Sequence, residues 1–169
     1  WGAALEYASE RLRGDREVVL TAVRRWGVAL QYAQPPMKKD KEVVLAAVTT
    51  DGLALPYAAP ELRGDREVVL AAVRSCGSAL AHASVQLRTN KEVALTAVRA
   101  RGQALRYVAE VLQADRDVVL AAAKTWGSAL TCASEALRSD ESFVREVMRA
   151  RFATVQDAPS KPLWNSMDL

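Results

Sequence analysis

Side chains that could carry catalysis or bind a metal ion are few in this chain of 169 residues. His82 is the single histidine, which rules out a metal site with two histidine ligands from this chain. Cys76 and Cys132, the two cysteines, do not have the close spacing of a metal-binding pair. Glycines recur 25 residues apart and do not form a phosphate-binding loop. We therefore expect no catalytic residue, no metal, no cofactor and no small-molecule substrate.

Basic side chains suggest a second kind of chemistry, the binding of nucleic acid. The chain has 23 basic and 20 acidic residues, and its net charge of +3 is too small to indicate nucleic acid by itself. Cations recur at fixed intervals, however, and could form rows of Lys and Arg along the protein, which we call basic ladders. The candidates are Lys38, Lys39, Lys41, Arg63, Arg66, Arg88 and Lys91. Acidic residues equivalent to Asp15 and Glu17 interleave with these ladders. The aromatic residues that base stacking requires are expected in core positions, so we favour self-compensated surface charge.

A decapeptide repeated at a constant interval organises the rest of the chain. It reads Asp-Arg-Glu-Val-Val-Leu-Ala-Ala-Val-Arg at 65–74, and related copies start at residues 15, 40, 90, 115 and, in altered form, 140. A second phrase, Gly-x-Ala-Leu-x-Tyr-Ala, recurs between the copies, as at 27–33. An interval of 25 residues without insertions indicates a repeat array. The chain is therefore six copies of one unit, followed by a tail.

Each unit is predicted to contain a long helix, a glycine corner, a short helix and a capped turn. Asp or Asn precedes every long helix, where its side chain can accept from free backbone N–H groups. The apolar stripe of the first long helix is Val18, Val19, Leu20, Ala22 and Val23. The glycine that follows is expected at the C′ position with a positive φ. Pro56 is expected in the first turn of its short helix, because proline disrupts a helix interior.

The predicted fold class is all-α, an α-solenoid of six 25-residue repeats with an irregular C-terminal tail. We predict a repeat array at residues 1–150 and a proline-containing docking tail at residues 151–169. In the sixth copy Arg145 and Glu146 replace apolar residues, as expected for a capping helix with a polar outer face. The residues predicted to contact a partner are Trp1, Leu163, Trp164, Met167 and Leu169. No apolar run approaches the roughly 18 residues that a membrane span needs.

The decapeptide, followed by Gly-x-Ala-Leu-x-Tyr-Ala-Ser, resembles a repeat family known as a domain of unknown function. That family is abundant in algal proteins, especially those of dinoflagellates, and occurs in some bacterial proteins. The resemblance covers Trp1 to about Ala150, and both spacing and residue identities match. The family has no established activity, so the resemblance implies no catalytic residues. An algal source would favour the plastid stroma as the location, and any other source the cytoplasm.

The favoured function is a non-catalytic helical-repeat scaffold that binds protein partners within a larger assembly. In an alga this would be a peripheral stromal subunit of a photosystem–light-harvesting complex. That version follows from the distribution of the family and not from residues of this chain. The alternative is an RNA-binding or DNA-binding repeat protein that uses the basic ladders, and its affinity would fall steeply with salt.

Overall fold

The computed structural model describes residues 2–156, and the side chains of residues 4–150. Within this range the chain forms helices and their connecting turns, and no residue lies in a strand. The helices follow the 25-residue period, and three kinds of helix recur in each repeat. The predicted all-α solenoid is confirmed.

The long helices form one layer of the array. They are α2 (Arg16–Arg25), α4 (Lys41–Thr50), α6 (Arg66–Ser75), α8 (Lys91–Ala100), α10 (Arg116–Ala123) and α12 (Glu141–Gln156). The predicted N-caps are confirmed, because the carboxylate of Asp65 accepts from the backbone N–H groups of Glu67 at 2.9 Å and Val68 at 3.1 Å. Asn90 replaces aspartate before α8 and accepts from the N–H of Val93 at 3.1 Å. Either side chain supplies the oxygen that the helix start requires.

The second layer consists of 3₁₀-helices, which occupy the predicted short-helix positions. They are η1 (Gly2–Tyr7), η2 (Gly27–Tyr32), η3 (Gly52–Tyr57), η4 (Gly77–His82), η5 (Gly102–Tyr107) and η6 (Ala129–Cys132). Pro56 is the fifth residue of η3, so its predicted place in a first turn is wrong. A 3₁₀-helix has weaker hydrogen bonds than an α-helix, and the loss of one donor near its end is tolerated.

Short α-helical turns connect each 3₁₀-helix to the next long helix. They are α1 (Glu10–Arg13), α3 (Pro35–Lys39), α5 (Pro60–Arg63), α7 (Val85–Arg88), α9 (Glu110–Gln113) and α11 (Glu135–Ser139). Ser84 caps α7 by accepting from the N–H of Leu87 at 3.4 Å, and Pro60 is the first residue of α5. The backbone N–H of Ser84 also donates to the carbonyl of Arg63, one repeat earlier, at 2.9 Å. The turns therefore join successive repeats.

The glycines that follow the first four long helices do not have the positive φ that we predicted. Gly27, Gly52, Gly77 and Gly102 all lie outside the left-handed region, and each begins a 3₁₀-helix. Their requirement for glycine is steric. A Cβ atom at Gly52 would lie 2.3 Å from the carbonyl oxygen of Ala72 in the next long helix. The missing side chain thus allows adjacent repeats to approach closely.

The core runs along the whole array between the two layers. Neighbouring long helices contact one another, and so do neighbouring 3₁₀-helices. Leu30, Leu55 and Leu80, one from each of three 3₁₀-helices, are fully buried. Among the residues whose side chains are described, no polar or charged residue is buried. Each repeat is therefore stabilised by the apolar faces of its neighbours, as expected for a solenoid.

The last long helix, α12, differs on its two sides. Phe143 and Val147 are buried, whereas Arg145 and Glu146 are exposed. The helix runs to Gln156. The capping role of α12, and the division of the chain into an array at 1–150 and a docking tail at 151–169, stay predictions.

Candidate interaction surface

Cations at the first position of the long helices form ion pairs between repeats. The Nζ atom of Lys41 lies 2.8 Å from both Asp65 Oδ2 and Glu67 Oε2 of the following repeat. Lys91 makes the same contacts one step later, at 2.8 Å to Asp115 and 2.6 Å to Asp117. The equivalent pairs begin at Arg16, Arg66 and Arg116. Three of the seven ladder candidates, Lys41, Arg66 and Lys91, are therefore already paired within the array.

These ion pairs shift the protonation equilibria of the capping carboxylates. Partial burial raises the pKa of Asp65. Hydrogen bonds from Lys41 and from the backbone N–H of Val68 lower this pKa by more than burial raises it, so the pKa lies below its usual value. At Asp140, hydrogen bonds from Ser142, the backbone of Phe143 and Arg116 lower the pKa to about 2. The carboxylates are thus held in their charged form by the caps and by the preceding repeat.

The remaining ladder candidates lie on the short α-helical turns α3, α5 and α7. Lys38 donates from Nζ to the backbone carbonyl of Gln31 at 2.7 Å, and burial lowers the pKa of Lys38. Arg63 and Arg88 are half-buried, and their Nε atoms have no hydrogen-bond partner among the described residues. Lys39 is exposed. The seven candidates therefore fall on two kinds of element, the starts of the long helices and the short α-helical turns that precede them.

The tyrosine positions are less buried than we expected from the sequence. Tyr7 is 85% exposed and Tyr107 is 38% exposed, while His82 is also exposed. Tyr32 is half-buried, with its ring centroid 6.3 Å from that of Trp26. The expectation that the aromatics fill core positions is wrong for Tyr7 and Tyr107, which lie at the edge of the core, whereas Tyr32 packs against the core.

The C-terminal ends of the long helices form a surface whose residues change from repeat to repeat. We call it the variable edge, and it comprises positions 24–26, 49–51, 74–76, 99–101 and 124–126. The core positions of the long helices keep Val, Leu or Ala in the first five repeats. The variable edge instead carries Arg, Lys, Thr, Ser, Ala, Asp, Cys and Trp. Invariant packing combined with a changing surface is the pattern by which repeat proteins make distinct binding surfaces from one architecture.

The variable edge is positively charged. Its cations are Arg24, Arg25, Arg74, Arg99, Arg101 and Lys124, and all six are exposed. None of them forms an ion pair within the part of the chain that the structure describes. Asp51 is the one acidic residue of the edge, and its carboxylate accepts from the backbone N–H of Leu53. The negative ends of the helix dipoles favour cations here but neutralise only part of their charge.

Aromatic rings accompany these cations. Trp26 and Trp126 are half-buried at the two ends of the variable edge. The guanidinium carbon of Arg106 lies 4.9 Å from the centroid of the Trp126 ring. The sequence analysis did not single out this surface, because its ladder candidates were all cations near the starts of the long helices. Five of the six edge cations lack an acidic residue 24 or 26 positions further on, whereas Lys41 and Lys91 have one; the exception is Arg25, which Asp51 follows at 26 positions.

Other predicted features have different outcomes. Trp1, Leu163, Trp164, Met167 and Leu169 lie outside the residues whose side chains the structure describes, and their partner contacts stay predictions. Across residues 2–156, no helix is both long and apolar enough to cross a membrane. Among the side chains of residues 4–150, no group of three or more His, Cys, Asp and Glu is arranged to hold a metal ion.

Comparison with known protein families agrees with the periodicity. A family model described as "Domain of unknown function (DUF4116)" matches residues 1–38, 15–63, 40–88, 65–113, 90–138 and 115–151. No curated protein and no solved structure matches the chain. The overlapping matches cover the whole repeat array and follow its 25-residue step. The chain therefore belongs to the DUF4116 family of tandem helical repeats.

Proposed function

We propose that this chain is a non-catalytic scaffold that binds an acidic protein partner along its variable edge, within a larger assembly. The observation that supports the proposal most strongly is the contrast between the two kinds of cation. Lys41 and its equivalents are neutralised by the next repeat, whereas the six cations of the variable edge have no acidic partner in the described chain. Because the cations at the helix starts are already paired within the array, the cations of the variable edge are the ones available to pair with carboxylates of another molecule.

The geometry of the variable edge suits a long contact with a protein. Packed helices lie about 8–10 Å apart, so successive edge positions are spaced at that interval along the array. Carboxylates of a partner could pair with Arg74, Arg99 and Lys124 in turn. Such exposed pairs increase association rate and specificity more than affinity. Trp26 and Trp126 supply the apolar contacts on which affinity depends, because tryptophan is enriched among residues that dominate binding energy.

A more specific version of the proposal is a peripheral plastid stromal subunit of an algal photosystem–light-harvesting complex. Its support is the abundance of similar repeats in algal proteins. It requires that the acidic partner lie on the stromal surface of that complex. Isolation of the complex from the source cell, followed by identification of its subunits by mass spectrometry, tests this version separately from the scaffold proposal.

Charge reversal on the variable edge tests the proposal. The variant R74E/R99E/K124E changes three cations of the variable edge that form no ion pair among the described residues. The control R11E/K39E/R138E changes three exposed cations on the short α-helical turns α1, α3 and α11. Each is expressed with a tag in the source cell, and its native mass is measured by size-exclusion chromatography with light scattering. We expect the wild type and the control to elute in a larger complex and the edge variant to elute as a folded monomer. A wild-type monomer, or an edge variant that stays in the complex, would contradict the proposal.

Nucleic-acid binding remains the alternative function, and the inter-repeat ion pairs weaken its original basis. Lys41, Arg66 and Lys91 would have to break contacts with carboxylates before they could bind phosphate. The variable edge is the better candidate for such binding. Titration of labelled single-stranded RNA against the wild type at two salt concentrations distinguishes the two functions. Tight binding that weakens steeply with salt and is lost in R74E/R99E/K124E would favour nucleic acid.

A further inference from the structure

A cleft opens on the surface between two long helices in the interior of the array, α8 and α10. It has a volume of about 400 Å³. Leu95 and Arg99 line it from α8, and Leu120, Ala121 and Lys124 line it from α10 and the turn that follows. We call it the α8–α10 cleft. Since α6 packs against α8 and α12 packs against α10, both of its helices have neighbours on their other sides.

The middle of the α8–α10 cleft is apolar. Leu95, Leu120 and Ala121 pack against the core but are only half-buried, so part of their surface remains open to the cleft. The equivalent Leu70 of the third repeat is 6% exposed. An aliphatic side chain placed in the cleft would remove this apolar surface from water, which favours binding.

Two cations lie at one end of this apolar surface, one from each helix. Arg99 follows Leu95 by four residues, and Lys124 follows Leu120 by four residues. Residues four apart on a helix lie on the same face, about one turn apart, so each cation is next to its leucine. Both cations are exposed, and neither forms an ion pair among the described residues.

The opposite end of the cleft is already neutralised within the array. Asp117 lines the cleft at that end, and its carboxylate lies 2.6 Å from the Nζ atom of Lys91. An anionic group in the cleft therefore meets uncompensated positive charge near Arg99 and Lys124 and an existing ion pair near Asp117. This difference in charge determines the direction in which a molecule with one anionic end and one apolar end would lie.

Among the long helices whose side chains are described, α8 and α10 are the one neighbouring pair with this combination. Leu20 and Leu70 are buried. Leu45 is half-buried, but Thr49 follows it where the other helices have a cation. In α12, Arg145 replaces the leucine. Two half-buried leucines and two cations therefore meet at the α8–α10 cleft.

We propose that the α8–α10 cleft binds the anchor residues of the acidic partner. An Asp or Glu of the partner pairs with Arg99 and Lys124, and an aliphatic side chain about one helical turn away packs on Leu95 and Leu120. This inference rests on the proposed function and specifies which part of the variable edge holds the partner most strongly. The carboxylate supplies specificity, and the buried aliphatic side chain supplies affinity.

The shape of the cleft favours a helix as the binding segment. The cleft is open along its length, and amphipathic helices bind in such grooves through side chains three or four residues apart. A partner helix with Glu at one position and Leu four residues away presents both groups on one face. Their separation matches that of Arg99 from Leu95 and of Lys124 from Leu120.

Stapled helical peptides serve as probes of the purified full chain. The first peptide carries Glu and Leu four residues apart on one face, the second has Gln in place of that Glu, and the third has Ser in place of that Leu. Binding of the labelled peptides is measured by fluorescence anisotropy. We expect saturable binding of the first peptide, weakened about tenfold or more in each of the other two. Equal binding of the three, or no saturable binding, would overturn the proposal.

Two tryptophan substitutions locate the binding site. Ala121→Trp fills the cleft and leaves every cation in place, so it should weaken binding of the first peptide about tenfold or more. Ala71→Trp is the matched control, because Ala71 is the equivalent residue of the third repeat, is also half-buried and lies outside the cleft. Similar binding by the two variants would show that the peptide binds elsewhere, and the proposal would be wrong.

Charge exchange provides a test that does not alter packing. R99E/K124E changes two exposed side chains, and we expect it to bind a peptide with Lys in place of Glu more tightly than the wild type does. A general structural effect of the substitutions would not produce this reversal. If the preference is not reversed, Arg99 and Lys124 do not bind the carboxylate and the proposal is refuted.

The native complex separates this inference from the proposed function. We expect Ala121→Trp, like R74E/R99E/K124E, to elute as a folded monomer. Loss of the complex in R74E/R99E/K124E but not in Ala121→Trp would keep the variable edge as the binding surface and overturn the cleft as its anchor. Retention of the complex in both variants would contradict the proposed function itself. Labelled dodecanoate that binds the wild type but not Ala121→Trp, without binding of the first peptide, would assign the cleft to a fatty acid and also overturn the proposal.

Discussion

At the scale of single residues, glycine shows why a correct pattern can have a different cause from the one expected. The recurrence of Gly27, Gly52 and Gly77 predicted a special backbone conformation, yet their φ angles are ordinary. What excludes a side chain is the carbonyl oxygen of the next repeat. Such a contact joins residues 20 positions apart, and local sequence rules do not describe it. Position in the repeat was predictable, but the steric reason was not.

Two glycines with different surroundings provide a direct test. Gly52→Ala places a Cβ atom 2.3 Å from the Ala72 carbonyl oxygen, and we expect it to destabilise the chain by about 1–3 kcal/mol. Gly14→Ala is the matched control, because its nearest neighbours lie at 3.6 Å and its φ of −99° suits alanine. It should be neutral or stabilise by about 0.4–1 kcal/mol. Urea denaturation followed by circular dichroism measures both, and equal midpoints would refute the steric explanation.

Asp65 combines two roles that substitution can separate. Asp65→Asn keeps an oxygen for the cap but removes the ion pair with Lys41, and we expect a loss of no more than about 1 kcal/mol. Asp65→Ala removes both interactions, and its loss should be larger by about 1 kcal/mol. Asn90 already performs the capping role in the fourth repeat. Thermal denaturation measures the stability of the two variants. A similar loss of stability in both would show that the cap contributes little.

At the scale of elements, periodicity predicted most of the architecture and little of the surface. The spacing of Val, Leu and Ala identified the long helices, and Asp or Asn identified their starts. It did not distinguish a 3₁₀-helix from an α-helix, because both present one apolar face over two turns. It also placed Tyr7 and Tyr107 in the core, although they lie at its edge. Ion pairs from Lys41 to the next repeat depend on how repeats stack, and they became visible only in three dimensions.

The capping carboxylates predict how stability depends on pH. The pKa of Asp140 is lowered from 3.8 to about 2, and the pKa values of Asp40, Asp65 and Asp115 are also lowered. Because these groups bind protons more weakly in the folded state, their contribution is present above pH 4. It is lost as the pH falls from about 4 to about 2.

Urea midpoints measured across this pH range should therefore fall, and they should fall less in Asp140→Asn than in the wild type. The neutral amide cannot titrate, although it still offers an oxygen to the helix start. Profiles of the two proteins that run parallel from pH 5 to pH 2 would show that Asp140 does not contribute to the acid response.

At the scale of the whole molecule, the array is periodic inside and irregular where other molecules can reach it. Its core positions are nearly identical in the first five copies, while most positions of the variable edge differ from copy to copy. Among the described residues, the six cations of the variable edge form no ion pair. The structure of the array therefore separates the residues that maintain the fold from those available for recognition.

The central claim is that the variable edge is the surface that contacts an acidic protein partner. Carbodiimide treatment of the native complex joins lysine amines directly to carboxylates within contact distance, and mass spectrometry identifies the joined peptides. Lys124 on the variable edge and Lys39 on the short turn α3 are both exposed. A link from either lysine therefore shows that the partner contacts that part of the surface. We predict that Lys124 is joined to an Asp or Glu of the partner and that Lys39 is not. Links from Lys39 to the partner, with Lys124 unmodified, would contradict the claim.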